Sequence, residues 1–169
     1  NTQQFQDWID AHAEAIATDN CGTVTWTHEI VVENENCGAT MHYEVVFTAT
    51  DDCGNSASTK GIFIIEDTTA PSIDTEASDA TVECDGQGNA SELEAWLSNN
   101  GGASASDLCS DVVWSNNYEA LSDDCGETGS TTIEFTATDD CGNESKTTAT
   151  FTIEDTTDPV LEAGAKDIV

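Results

Sequence analysis

The chain has 169 residues, 34 of them Asp or Glu against 3 Lys and no Arg, for a formal net charge of −31. That balance excludes a nucleic-acid binder, because phosphate neutralisation needs cations; it also argues against docking on anionic membranes, and no stretch nears the roughly 18 apolar residues of a membrane span. Short alternating aliphatic runs suffice for small cores, but a compact state with this charge repels itself, so a bound cation is expected.

In chain order, Phe5, Trp8, Ile9, His12 and Ile16 fall at helical spacing and predict a first helix. Ala80–Cys84 reads as a strand. Ser91-Glu-Leu-Glu94 has the form of a capping box, which opens a short helix with Leu93, Trp96 and Leu97 on one face. Asn99-Asn-Gly-Gly102 stops it. Strands follow near Val112–Asn117, Thr131–Thr138 and Thr147–Glu154. Asp-Asp-Cys-Gly-Asn between the last two is a tight turn, since Asp, Gly and Asn tolerate its dihedrals.

A repeat organises these elements. Phe47 to Asn55 recurs letter for letter as Phe135 to Asn143, 88 residues downstream. The same offset maps Trp8 onto Trp96, Trp26 onto Trp114, Ile65-Glu-Asp-Thr-Thr69 onto Ile153-Glu-Asp-Thr-Thr157, and Cys21, Cys37 and Cys53 onto Cys109, Cys125 and Cys141. Cys84 has its counterparts outside the window, so each full repeat is expected to carry four cysteines. Residues 1–68 form a first repeat lacking its N-terminal strand, 69–156 a complete second repeat, and 157–169 the start of a third. A fragment of a longer tandem array is the expectation. The fold class is mainly β: tandem immunoglobulin-like β-sandwiches, each with one short inserted helix.

Seven cysteines without a C-x₂-C spacing, and only His12, His28 and His42, support disulfides over zinc and imply an oxidising, extracellular setting. Four cysteines per repeat allow three pairings. Cys125 and Cys141 bracket one strand, which at about 3.3 Å per residue holds them too far apart to bond. With strands running up and down, Cys109 and Cys141 share one end and Cys84 and Cys125 the other. The expected bridges are therefore Cys109–Cys141, Cys84–Cys125 and, by translation, Cys21–Cys53, with Cys37 unpartnered.

The phrase F-T-A-T-D-D-C-G-N, followed by a strand and I-E-D-T-T-x-P, resembles the hyalin-repeat (HYR)-like domains. The match is to the four-cysteine variety strung through large secreted surface proteins of Bacteroidetes-type bacteria. The resemblance implies immunoglobulin-like sandwiches, secretion to the cell surface, and an adhesin or stalk role. The inserted helix departs from a minimal hyalin repeat.

Calcium takes six to eight oxygens from carboxylates, amides and backbone. The turn Asp139, Asp140 and Asn143 offers such donors, and so does the repeat boundary Glu66 and Asp67. Lengthwise stacking requires the chain to enter and leave a repeat at opposite ends, which sets the Asp139–Asn143 turn against the Glu66–Thr69 linker. Asp51, Asp52 and Asn55 would face an upstream linker, and Glu154 and Asp155 the next joint. Cadherin-like modules resemble this arrangement. Asp and Asn also serve as ordinary turn residues that bond their own backbone, and repetition at the joints together with the acid excess tips the reading to calcium. Asp123-Asp124, whose place in the first repeat falls within Asn34-Glu35-Asn36, is a weaker site.

Trp26 and Trp114 are expected in the core against a disulfide, and Trp8 and Trp96 on buried helix faces. Asn89-Ala-Ser91 and Asn143-Glu-Ser145 match the N-glycosylation sequon, and Asp67-Thr-Thr69 and Asp155-Thr-Thr157 resemble bacterial O-glycosylation signals. No nucleophile-and-base constellation emerges, so an enzyme is not expected. The functional expectation is a calcium-rigidified, disulfide-stapled stalk or fibre segment of an extracellular adhesin. Its partners would be neighbouring repeats, with self-association into fibres or a surface ligand beyond them. The alternative is a module that itself binds glycan or protein.

Overall fold

Apolar spacing winds the first residues into α1 (Thr2–Asp10), whose buried face carries Ile9. The expected helix ran on to Ile16. Instead His12, Ala13 and Glu14 take positive φ values of 53°, 53° and 63°, a left-handed turn that no helix continues. The turn lays the His12 ring on Trp26, centroids 4.7 Å apart, and leaves Ile16 91% exposed. The computed structural model describes residues 1–164; the end of the expected third repeat, 165–169, lies outside the described residues.

Two compact units divide the chain. The first comprises Asn1–Ala70 with Asp107–Val112 and Asp139–Asn143. It holds an antiparallel sheet of β1 (Val24–Glu35), β2 (Met41–Asp51) and β3 (Ser56–Ile65), in the order β1-β2-β3. Period-two patterning turns Val45, Phe47 and Ala49 of β2 to one face, where all three are buried. Ile9 joins Val45 and Phe47 there, and Phe5, Trp8, Trp26 and Tyr43 pack around them. Trp8 meets Phe47 edge-on at 5.5 Å. Gly61 permits this approach, because a Cβ there would lie 2.7 Å from the Trp8 ring.

The second unit takes the rest of the chain. It contains β4 (Ser72–Thr75) paired antiparallel with β6 (Ser104–Ser106). A four-stranded sheet runs in the order β5 (Ala80–Glu83), β9 (Glu144–Glu154), β8 (Gly129–Asp139) and β7 (Val112–Asn116). β5 pairs parallel with β9, and β8 antiparallel. Leu93, Ile133, Phe135, Ala149, Phe151 and Ile153 form its core, with Trp96, Trp114 and Tyr118 against them. α2 (Ala90–Ser98) starts from Asn89 rather than from a Ser91 capping box. Asn89 is buried, accepts from the Asp85 N–H at 3.1 Å and donates to the Glu83 carbonyl at 3.0 Å, while Ser91 turns to Glu92.

The fold is mainly β, with 43% of the described residues in strands and 15% in helices. Element bounds recur at the 88-residue offset: α1 and α2 match end to end, as do β2 and β8, and β3 and β9 agree within one residue. The exception is β1 against β7. The Asn117 side chain accepts the Glu134 N–H and the Asn116 side chain accepts the Tyr118 N–H, which closes β7 after five residues. In the first copy β-branched Ile30, Val31 and Val32 carry the strand on through a bulge.

Candidate functional site

The site grows from the turn after β8. Asp139 Oδ1 accepts the Cys141 and Asn143 N–H groups, each at 2.8 Å, and Oδ2 accepts the Asn143 amide at 2.7 Å. Gly142 supplies the positive φ (86°) the turn requires. Burial pushes the Asp139 pKa up, but the hydrogen bonds from Asn143, Cys141 and Gly142 outweigh it and hold the carboxyl below its ordinary range. Asp51 makes the same bonds to Cys53 and Asn55 at 2.8 Å, and those from Asn55 lead in lowering its pKa. The two turns are therefore built alike.

Within the first unit, Asp139–Asn143 meets the segment after β3. The Asn143 amide donates to the Asp67 carbonyl at 3.4 Å. Asp67 Oδ1 accepts the Thr69 N–H at 3.1 Å, while Oδ2 is buried with no hydrogen-bond partner among the described residues. Ligand atoms of Asp67, Asp107 and Cys109 lie within 4.8 Å of one another. Asp107 Oδ1 accepts the N–H groups of Cys109 at 2.8 Å and Ser110 at 3.2 Å. Burial, then the negative charges of Asp67, Asp107 and Asp139, raise the Cys109 thiol pKa.

The disulfide in this unit joins Cys37 to Cys141, Cα atoms 5.0 Å apart. This corrects the expected pairing. Cys109 is not bonded to Cys141, Cys21 is not bonded to Cys53, and Cys84 is not bonded to Cys125; all five of Cys21, Cys53, Cys84, Cys109 and Cys125 are free thiols. The expected neighbourhood was nevertheless right, since the Asp140 N–H reaches the Ser110 hydroxyl at 3.3 Å. The pairing failed because the Cys37–Thr40 turn supplies a competing sulfur at that end. The Ala39 N–H donates to the Cys109 carbonyl at 2.7 Å, and a Cβ on Gly38 would lie 2.6 Å from that oxygen.

Of the ten predicted calcium ligands, Asp67, Asp139 and Asn143 come together here, with Glu66 exposed beside Asp67 and Asp140 exposed next to Asp139. Asp51, Asp52 and Asn55 stand apart, lining an open cavity of about 210 Å³ with Asp19 and the free Cys21 and Cys53. There Asp52 holds the Thr23 N–H and hydroxyl at 3.0 Å. Glu154 offers its carbonyl to the Cys84 N–H at 2.7 Å, and Asp155 accepts the Thr157 N–H at 3.0 Å. Both acids are exposed.

Asp107 escaped the sequence reading. The signal for it is Asp-x-Cys at the repeat offset: Asp19-Asn-Cys21 and Asp107-Leu-Cys109. The unpartnered Asp67 oxygen and the Asp107 carboxylate are hard donors that fit a calcium ion. The Cys109 sulfur is soft and does not. Both N-glycosylation sequons are compromised: Asn89 is 2% exposed, and the Asn143 amide is bonded to Asp139 and Asp67.

No family model matches the chain, and no curated protein matches it. Among solved structures, one described as "PcdhgB3 EC1-4 in 50 mM HEPES" is similar at 10% identity and a TM-score of 0.30. The likeness covers 78% of this chain and 41% of that one.

Proposed function

We propose that the chain is a structural segment of an extracellular stalk or fibre, of the HYR-like type its motifs resemble, whose immunoglobulin-like repeats are linked covalently and stiffened by calcium. The observation that carries this reading is the Cys37–Cys141 disulfide, which ties one copy of the 88-residue repeat to the next across 104 residues of sequence. A bond of that span favours an oxidising, extracellular location. It also suits a load-bearing string, because pulling the copies apart then requires breaking a covalent bond.

Calcium is assigned to Asp67 and Asp107, with the exposed Glu66 and Asp140 next in sequence to Asp67 and Asp139. The orphaned Asp67 oxygen supports this, and so does the charge of −31 that a cation would offset. Asp51 and Asp139 mainly hold their turns. Melting temperature in EDTA and in millimolar CaCl₂ at constant ionic strength tests the assignment. A rise with calcium that Asp67→Ala abolishes is expected; equal melting in both contradicts it.

A second reading, direct binding of glycan or protein, draws on the open cavity of about 310 Å³ lined by Trp26, Ala15, Ile16, Ala57 and Thr59. A glycan array with the isolated chain separates the two. Tight binding by this chain alone favours the module; none favours the stalk.

A further inference from the structure

The Cys37–Cys141 bond decides which residues carry a pull applied to the two ends of the chain. A covalent path runs from Asn1 to Cys37, across the sulfur–sulfur bond, and onward from Cys141. The residues between the two cysteines, 104 apart in sequence, form a closed loop that lies off this path. The loop contains β2 to β8 and α2. We propose that β1, the disulfide and β9 form a tendon that carries tension through the chain, while the loop is a folded reserve of length released only when the bond is reduced. This deepens the stalk reading and rests on it, but it needs no calcium.

The two strands on the path suit the task because they are already extended. β1 has 12 residues and β9 has 11. At about 3.4 Å per residue each spans roughly 40 Å, close to the covalent limit of about 3.6 Å per residue. A flexible coil of that length holds its ends only about 20 Å apart on average. Tension on such a strand finds almost no slack to draw out. It is borne by the backbone bonds rather than by hydrogen bonds between strands.

What keeps the tendon extended is the loop. β2 pairs with β1 from Val24 opposite Asp51 to Glu35 opposite Met41. β9 lies between β8, antiparallel from Gly129 opposite Ile153 to Thr138 opposite Glu144, and β5, parallel from Ala80 to Glu83. All three bracing strands belong to the loop and none lies on the path. Little loose chain connects the strands to the bond. Only Asn36 separates β1 from Cys37, and only Gly142 and Asn143 separate Cys141 from β9. Both connections are held. Thr40 Oγ1 accepts the Cys37 N–H at 3.1 Å and donates to the Cys37 carbonyl at 2.6 Å, and Asp139 Oδ1 accepts the Cys141 and Asn143 N–H groups at 2.8 Å.

Most of the core is shielded as well. Val45, Phe47, Leu93, Ile133 and Phe135 are buried and all lie inside the loop, so loosening them cannot lengthen the oxidised chain. Release needs a reductant. A dithiothreitol thiolate attacks one bridge sulfur and displaces the other as a thiolate; the second dithiothreitol thiol then closes on the mixed disulfide. Two electrons pass from the dithiol to the bridge, and Cys37 and Cys141 end as thiols. At about 3.5 Å per residue, the freed 104 residues add about 360 Å of contour length.

The test stretches single molecules held by handles at the two chain ends, in EDTA, with the free thiols alkylated beforehand so that no exchange occurs. The same molecules are stretched again after dithiothreitol is added. Metal-dependent melting and glycan binding, which judge the stalk reading, are not read in this measurement, so the two can fail separately. The expected result is a short extension while oxidised and a gain of about 360 Å after reduction. Phe135→Ala should lower the unfolding force only after reduction. A chain that releases this length before reductant is added would overturn the proposal. So would a chain whose extension does not change on reduction, or a Phe135→Ala chain that yields at lower force while still oxidised.

Discussion

Asp51–Asn55 and Asp139–Asn143 are the same five residues in the same hydrogen-bonded turn, yet Asp51 is half-buried over an open cavity while Asp139 is 5% exposed beside Asp67. Local sequence determines the shape of the turn. What it is worth depends on the chain segment that covers it. What distinguishes the two copies at this point, among the described residues, comes from residues 37–40 and 67, which meet the second turn and have no counterpart at the first.

The largest way to break the comparison is to hollow out what the copies share. Phe47 and Phe135 occupy the same position and neither is exposed, so either one changed to Ala should cost about 3–5 kcal/mol by urea unfolding. Next comes the bridge. Cys37→Ser should cost about 2–4 kcal/mol, because the bond closes a long loop in the unfolded chain. Cys53→Ser, at the equivalent of Cys141, should leave the monomer unchanged, since Cys53 is a free thiol. Equal losses from the two serine variants would mean that the copies are not distinguished as described.

A smaller effect separates the turns themselves. Asp139→Asn puts an amide against the donors on Cys141 and Asn143 in a buried place, and should lower the melting temperature more than Asp51→Asn does. Smallest is the pH response. Both carboxyls titrate below their ordinary range, so their contribution is full above the unfolded value of about 3.9 and is lost as pH falls through the lower folded value. Acid also relieves the mutual repulsion of 34 carboxylates. The urea midpoint should therefore rise slightly from neutrality toward about pH 5 and drop below about pH 4. A midpoint that falls steadily from pH 7 would show that repulsion is already offset.

Much of this was legible in the sequence. The identical phrase ending at Asn55 and Asn143 gave the repeat period, and alternation in Thr131–Thr138 and Thr147–Glu154 gave β8 and β9 nearly to their ends. The approach of Asp67 to the Asp139–Asn143 turn followed from requiring the chain to leave a repeat at the end opposite its start. The disulfide did not follow, because assigning pairs within a repeat assumes that each copy closes on itself. Cys109 does lie near the right end, but Cys37 reaches Cys141 from the neighbouring copy. Asp107 was overlooked because it sits beside a cysteine rather than in an acidic run. The end of α1 was missed because a left-handed turn at His12–Glu14, held by stacking on Trp26, carries no signal in residue spacing.

The claim beneath all of this is that the copies are joined by a sulfur–sulfur bond that skips from one repeat into the next. Digestion of the oxidised, monomeric chain without reductant, followed by mass spectrometry of the linked peptides, reads it directly. The account predicts a peptide pair carrying Cys37 and Cys141. A pair carrying Cys109 and Cys141, with Cys37 free, would contradict it.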